Sequence, residues 1–173
     1  MQQVRHYLSP FGELTLAADA VGLTGLWFKN QKYFGSTLCS EHESAYSPFL
    51  EEAAQWLDQY FGGENPDFIP HLSLIGTPFR TAVWEALLKI PYGRTMSYKE
   101  IAGIITKEKG LEHMSAQAIG GAVGHNPISI IIPCHRVIGS NGSLTGYAGG
   151  TDKKIQLLQL EKIDCSGLLM PER

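Results

Sequence analysis

The 173-residue sequence predicts an α+β protein in two lobes, a small α/β lobe over residues 1–75 followed by a mostly helical lobe over residues 76–173. Three observations carry this expectation. Short, partly alternating apolar runs separated by turn residues crowd the start of the chain, which is the pattern of paired strands. From Thr77 onward the apolar residues recur at helical spacing instead. The charge divides at the same place: residues 1–75 hold only Arg5, Lys29 and Lys32 against nine Asp/Glu, whereas residues 76–173 hold eleven Lys/Arg against eight. With 43% apolar residues the chain can bury one good core or two small ones.

In the first lobe the runs Val4–Leu8, Glu13–Ala18 and Leu23–Phe28 are separated by Ser9-Pro10-Phe11-Gly12 and Asp19-Ala20-Val21-Gly22. Both separators are turn signals, so an antiparallel meander is expected. A helix should follow with Ser47 as N-cap, Pro48 at its first position, and Phe49, Leu50, Ala53, Ala54 and Leu57 on one face, ending at Gly62.

The second lobe begins with the same grammar. Thr77 caps, Pro78 opens, and Phe79, Val83, Leu87 and Ile90 repeat at helical spacing until Pro91-Tyr92-Gly93 breaks the pattern. Ser97-Tyr98-Lys99-Glu100 reads as a capping box, with Ile101, Ile104 and Ile105 as the buried face of a short helix that ends at Gly110. A further helix runs from about Ser115 to His125 and stops at Asn126-Pro127. Two helices joined by a tight connection suggest a helix-turn-helix. Gly120 and Gly121 inside the last of these each cost about 1 kcal/mol relative to alanine, so they need a reason. Close helix packing within the lobe is one; a nearly bare helix pressed into a DNA groove is the other, since a minor groove about 6 Å wide admits little else.

Membrane and disulfide classes are excluded. Met1–Leu8 is polar, and no stretch approaches the 18 or so consecutive apolar residues of a membrane span. Three cysteines, Cys39, Cys134 and Cys165, are odd in number and widely spaced, which argues against a disulfide framework and against a zinc knuckle. His6, His42, His71, His113 and His125 show no metal-ligand spacing. The expectation is a soluble, cytoplasmic protein with no metal and no cofactor. Its acidic first half beside a mildly basic second half is compatible with nucleic-acid binding, although solvated faces show the same asymmetry.

The chemistry is concentrated near Cys134. Ile128–Ile132 is a β-branched run expected to form a buried strand, and it leads into Pro133-Cys134-His135-Arg136-Val137-Ile138. A lone cysteine after such a run is commonly an inert core thiol. Here a base, His135, and a cation, Arg136, flank it, and these are the usual means of raising the thiolate fraction of a thiol whose free pKa is about 8.5. Adjacent residues of an extended chain point to opposite faces, so contact between Cys134 and His135 requires a sharp turn or a bridging water. In a final helix from about Thr151, Leu157, Leu158 and Glu161 share a face. Glu161 is then either a surface glutamate at the end of that face or an acid that orients His135 and completes a Cys, His, Glu relay.

Ile132-Pro133-Cys134-His135-Arg136-Val137, preceded by Gly124-His125-Asn126-Pro127 and followed by Gly146-Tyr147-Ala148-Gly149-Gly150, resembles the methylated-DNA:protein-cysteine S-methyltransferase (O6-alkylguanine-DNA alkyltransferase) family. The likeness runs from about Thr77 to Glu161 and includes the Ser97-Tyr98 pair; before Thr77 it holds only in outline. It implies a ribonuclease-H-like first lobe and a winged helix-turn-helix second lobe whose recognition helix enters the minor groove of double-stranded DNA. By the same resemblance Cys134 is the alkyl acceptor, His135 the water-linked base, Glu161 its partner and Asn126 a hinge beside the pocket. Tyr98 assists base extrusion and donates a proton to the leaving guanine. The backbone at Val137 reads the guanine edge, and Tyr147, Ala148 and Gly149 line the pocket. Gln117, Ala118, Gly121, Arg136, Arg80 and Ser140 are the implied DNA contacts. The implied activity is direct reversal of O6-alkylguanine, and of O4-alkylthymine, by a monomer acting once. Gln117 departs from the family, in which an arginine fills the space of the flipped base, so a weaker or more salt-tolerant hold on DNA is expected.

Three other functions fit parts of the sequence. A non-reactive alkyltransferase-like damage binder lacks the acceptor cysteine that this chain has. A helix-turn-helix regulator needs neither the nucleophile motif nor an inward Glu161. A cysteine hydrolase using Cys134, His135 and Glu161 would turn over a small ester repeatedly.

Overall fold

The computed structural model describes residues 1–144 and 146–168. The chain forms two compact units, Met1–Ile75 with Pro127–Ile131, and Gly76–Asn126 with Ile132–Arg173. The segment Pro127–Ile131, assigned to the second lobe from sequence, thus groups with the first.

In the first unit β1 (Gln2–Ser9), β2 (Gly12–Ala18) and β3 (Leu23–Phe28) form the expected antiparallel meander. A fourth strand, β4 (His42–Ser44), is added parallel to β1, giving a mixed sheet of order β3-β2-β1-β4. This strand escapes a pattern search because it is short, polar and fully exposed. Helix α1 (Pro48–Phe61) starts at Ser47, whose hydroxyl accepts from the Phe49 and Leu50 amides. It covers the sheet face carrying Arg5 and Tyr7, which bond to Glu51 at 2.8 Å and to Asp58 at 2.6 Å. On the opposite face Trp27 packs with Val4, Ala17 and Leu38, and its ring lies where a side chain at position 25 would project, so only Gly25 fits there.

Ile128–Ile132 is not the expected strand. Ile128 makes one bridge with Leu26, and Ile130 has φ +72°, a left-handed conformation that β-branched residues strongly disfavour and that ends any extended ladder. What remains is a buried turn that covers the edge of β3: the Leu26 amide donates to the Pro127 carbonyl and the Ser129 amide to the Leu26 carbonyl, both at 2.9 Å. A uniformly apolar run lacks the periodicity that distinguishes a strand from a buried turn.

In the second unit α2 (Pro78–Leu87), α3 (Tyr98–Lys109) and α4 (Ala116–Gly124) pack against one another, and Trp84 donates its indole N–H to the Ala122 carbonyl at 2.9 Å. Two of the caps are those read from sequence, Thr77 and Ser97 accepting from the amides of Arg80 and Glu100, and Ser115, at the expected start of the next helix, caps it by accepting from the Ala118 amide. Gly110 closes α3 in the left-handed conformation, φ +64°. The connection that follows, residues 110–115, is longer and more exposed than the tight turn expected. Two short parallel strands, β5 (Met96–Ser97) and β6 (Val137–Ile138), lie beside the helices, and the last helix, α5 (Thr151–Leu160), has Glu161 as its C-cap. Among the described residues no helix is long and apolar enough to cross a membrane.

Candidate active site

Cys134 opens a 3-10 turn, Cys134–Arg136, that leads directly into β6. This is the sharp turn that the adjacency of Cys134 and His135 requires. Asn126 sits where the chain leaves the second unit and Ile132 where it returns, and the Asn126 amide ties these ends together by donating to the Ile132 carbonyl at 2.8 Å. The same side chain hydrogen-bonds Cys134. Asn126 therefore fixes the approach to the turn and touches the sulfur.

Glu161 anchors the other side. It is buried, with its Oε2 2.6 Å from His135 Nε2, and its Oε1 accepts from Arg136 Nε at 2.8 Å and from the Gly93 amide at 3.0 Å. Gly93 adopts φ +76°, which turns its N–H toward the carboxylate and explains the glycine of Pro91-Tyr92-Gly93. Burial alone would raise the Glu161 carboxyl, but the His135 hydrogen bond and charge, reinforced by Arg136, hold it down at about 2. A carboxylate at Glu161 fixes the proton of neutral His135 on Nε2, leaving Nδ1 as the basic nitrogen. Burial also lowers the His135 pKa, so the ring is held in its base form against the pull of Glu161. Of the two alternatives left open by sequence, Glu161 orients His135 and is not a surface residue.

Arg136 is the site residue whose place differs from expectation. It is buried rather than presented to a DNA surface: its guanidinium bonds Glu161 and donates to the Ile90 carbonyl at 2.8 Å, and it lies over the Tyr92 ring at 5.7 Å. A guanidinium neutralising a buried carboxylate is committed to the interior, where removing it would leave that carboxylate uncompensated.

Burial pushes the Cys134 thiol above its ordinary value, opposed by the Asn126 hydrogen bond, the charge of Lys154 and the amides of Cys134 and His135. The resting thiol therefore needs a base. Tyr98, the first residue of α3, has its hydroxyl pushed up to about 12, first by burial and then by the charge of Cys134, so it stays protonated at neutral pH. Its hydroxyl lies against Gly146, where an added Cβ would sit 2.9 Å away and φ is +90°. Only glycine satisfies both conditions. Tyr147 is buried edge-on to His135, with centroids 6.5 Å apart, and Ala148 and Gly149 are half-buried beside it. Val137 is buried and its carbonyl accepts from Lys154 Nζ at 2.5 Å.

A cleft of about 460 Å³ is lined by Tyr98, Lys99, Ala116, Gln117, Gly120, Gly139, Ser140 and Gly146. It gathers Gln117 and Ser140 with Tyr98; Arg80, on α2, does not line it. Ala118 and Gly121 are exposed on α4. Cβ atoms added at Gly120, Gly121 and Gly124 would meet nothing within 4 Å, so helix packing does not require these glycines. Among the described residues no cluster of His, Cys, Asp or Glu is suited to a metal.

Lys154 was not singled out from sequence. It stands one helical turn before Leu157 and Leu158 and two turns before Glu161, so a lysine on an apolar stripe was the available signal.

Residues 4–74 match the 6-O-methylguanine DNA methyltransferase ribonuclease-like domain, and residues 78–163 match the DNA-binding domain of the same proteins. The chain is 48% identical over 155 residues to the methylated-DNA–protein-cysteine methyltransferase of Mycobacterium tuberculosis H37Rv, covering 89% of this chain and 88% of that one. It is 46% identical over 154 residues to the protein of the same name from Methanosarcina barkeri, covering 89% and 93%. The crystal structure of Mycobacterium tuberculosis OGT in complex with DNA superposes with a TM-score of 0.79 at 45% identity over 92% of each chain. With both domains matched and the relatives aligned over nearly their whole length, the chain belongs to the methylated-DNA–protein-cysteine methyltransferase family.

Proposed function

We propose that this protein repairs DNA by moving the alkyl group from O6 of a flipped-out guanine onto the sulfur of Cys134, irreversibly and once per molecule. The observation that carries the reading is the buried contact of 2.6 Å between Glu161 and His135, on a turn that begins with Cys134. It supplies an oriented base beside the nucleophile.

The steps follow from the groups present. Alkylation at O6 removes the guanine's pairing edge, so extruding that base costs less than extruding an intact one. His135 takes the Cys134 proton through a bridging water, and the thiolate attacks the alkyl carbon. The S–C bond forms as the C–O6 bond breaks, the electron pair passes to guanine, and the base accepts a proton from Tyr98. The proton held by His135 then restores the tyrosine, which balances the charge. Water does not readily cleave the resulting thioether, so the sulfur is not regenerated.

DNA is expected along α4. Its start is capped by Ser115 and carries Gln117, its exposed surface is stripped by Gly120, Gly121 and Gly124, and Ser140 lies across the same cleft. A bare helix of this kind suits a minor groove about 6 Å wide. The Mycobacterium tuberculosis OGT structure is itself a complex with DNA, which supports DNA as the partner. Arg80 adds a cation outside the cleft. The protein acts as a monomer, and its free cysteines suit a reducing cytoplasm. O4-alkylthymine is included because its alkyl group occupies a comparable exocyclic oxygen.

The test is a count. Duplex containing one O6-methylguanine, supplied in excess, should yield one repaired guanine per protein and then stop; duplex containing O4-methylthymine should behave likewise, more slowly. Continued turnover would refute the single-use mechanism, and repeated cleavage of a small ester would favour the hydrolase instead.

A further inference from the structure

We infer that Gln31 is a positioning residue for alkyl transfer: through Ser129 it holds the strained turn at Ile130, and that turn sets where the chain delivers Cys134. The proposal rests on the alkyl-transfer reading above. Ile130, at φ +72°, is the centre of a three-residue turn in which the Ile131 amide donates to the Ser129 carbonyl at 2.8 Å. A γ-turn with positive φ is rare and strained for any residue, and most of all for a β-branched one. Such strain persists only where the surroundings over-determine the backbone, and it gathers where function needs a fixed geometry. The surroundings here come from the first unit. Besides the two backbone bonds that pair the segment with Leu26, the Ser129 hydroxyl, on a residue 1% exposed, donates to Gln31 Oε1 at 3.2 Å. Within Ile128–Ile132, Ser129 is the one residue whose side chain offers a polar group to hold.

Gln31 is fixed before it meets Ser129. It is buried, its Oε1 also accepts from the Phe28 amide at 2.8 Å, and its Nε2 donates to the Lys32 carbonyl at 3.2 Å. Both ends of the side-chain amide are thus set by the turn that follows β3, and the second lone pair of Oε1 serves a partner 98 residues along the chain. Beyond Ile130 little slack remains. The Cys134 amide donates to the Ile132 carbonyl at 2.8 Å around Pro133, whose φ −81° and ψ 62° make a second γ-turn, of the unstrained inverse kind, with φ locked by the proline ring. The Ile132 carbonyl is tied again by Asn126. Two tight turns in succession pass a displacement of Ser129 on to the Cys134 sulfur instead of absorbing it. Ser129 belongs to the first unit and Cys134 to the second, so Gln31 gives the unit that holds none of Tyr98, Cys134, His135 and Glu161 a part in the reaction.

The test measures single-turnover methyl transfer from O6-methylguanine duplex at saturating DNA, together with DNA affinity and the urea midpoint. Gln31→Leu removes the acceptor and Ser129→Ala the donor. Each folded variant should transfer more slowly at saturation, Gln31→Leu by about ten- to hundredfold, with wild-type affinity for the duplex, since a small misplacement of a reacting atom acts on the chemical step. The double variant should be no slower than Gln31→Leu, because both changes break one interaction. Tyr7→Phe breaks the bond to Asp58 in the same unit without touching the segment, and it should transfer at the wild-type rate. Wild-type transfer by either folded variant, additive slowing in the double variant, or equal slowing by Tyr7→Phe would each overturn the proposal. If Gln31→Leu does not fold, Ser129→Ala, which deletes one buried oxygen, decides alone. Iodoacetamide labelling of Cys134, in the absence of DNA, separates the proposal from the reading beneath it. Should the variants label more slowly than wild type while wild type takes no methyl group from the duplex, the alkyl-transfer reading fails and Gln31 still positions the thiol. Should wild type be methylated and the variants match it in both assays, the role of Gln31 alone is lost.

Discussion

Replacing Glu161 by Gln separates the two tasks this carboxylate performs. Its oxygens receive His135, Arg136 and the Gly93 amide, all in the interior. A glutamine has the shape but only one acceptor oxygen. If that oxygen keeps Arg136 and Gly93, the amide N–H₂ faces His135 Nε2 and selects the tautomer in which Nδ1 carries the proton, so the nitrogen left to serve Cys134 is already protonated and cannot act as a base. Loss of positioned base catalysis corresponds to roughly 10²–10⁴ in rate. The stability effect has its own estimate. A carboxyl held at about 2 rather than its ordinary 4.5 stabilises the folded state by at most about 3 kcal/mol, the share owed to the His135 charge being present only while that ring is protonated. That agrees with the roughly 3–5 kcal/mol expected when one partner of a buried pair is removed. The sign follows from the lowered pKa: the contribution is complete above the unfolded value and disappears as pH falls through the folded one, hence between about 4.5 and about 2. Urea unfolding at pH 7 and across this acid window, together with single-turnover repair kinetics, measures both effects. Wild-type repair by Glu161→Gln would refute the tautomer argument, and an unaltered acid dependence of stability would refute the electrostatic one.

Other substitutions probe the DNA-facing helix and the hinge. Gly121→Ala should stabilise the fold by about 0.4–1 kcal/mol, because the new methyl meets no neighbour and restricts the unfolded chain, yet weaken binding to duplex DNA several-fold. Urea midpoints and DNA affinity decide this, and unchanged affinity would argue against α4 lying in a groove. Gln117→Arg should tighten DNA binding and steepen its logarithmic salt dependence by up to about one; equal affinity and slope would contradict the assigned place of Gln117. Asn126→Ala removes the tie to the Ile132 carbonyl and should cost about 1–3 kcal/mol, with slower repair in urea-free buffer. Wild-type repair by that variant would show that the turn holds its geometry without the asparagine.

Much of the architecture was legible because local rules and tertiary structure agree. Ser47, Thr77, Ser97 and Ser115 are hydroxyl residues set just before apolar helical periods, and each caps its helix. The meander was readable from turns that leave alternating runs between them. Failures occurred where sequence periodicity is absent or misleading. Ile128–Ile132 is apolar at every position, so no period separates a strand from the turn enforced at Ile130. Strand β4 has no buried side to advertise itself. At the site, the residue types pointed to Cys134, His135 and Glu161, whereas their meeting depends on a turn and a distant helix. Arg136 and Lys154 were misjudged or passed over for one reason: a cationic side chain reads as a surface group until its buried partner, Glu161 or the Val137 carbonyl, is located in space.

The central claim is self-alkylation at Cys134, and intact-protein mass spectrometry tests it most directly. The protein is mixed with duplex DNA bearing one O6-methylguanine, then weighed and peptide-mapped beside Cys134→Ala. One mass increment of about 14 Da, a methyl replacing hydrogen on the nucleophile, should appear on Cys134 in step with repaired guanine and be missing from the variant. Tight binding to the lesion with no adduct, or an adduct on Cys39 or Cys165 instead, would contradict the account.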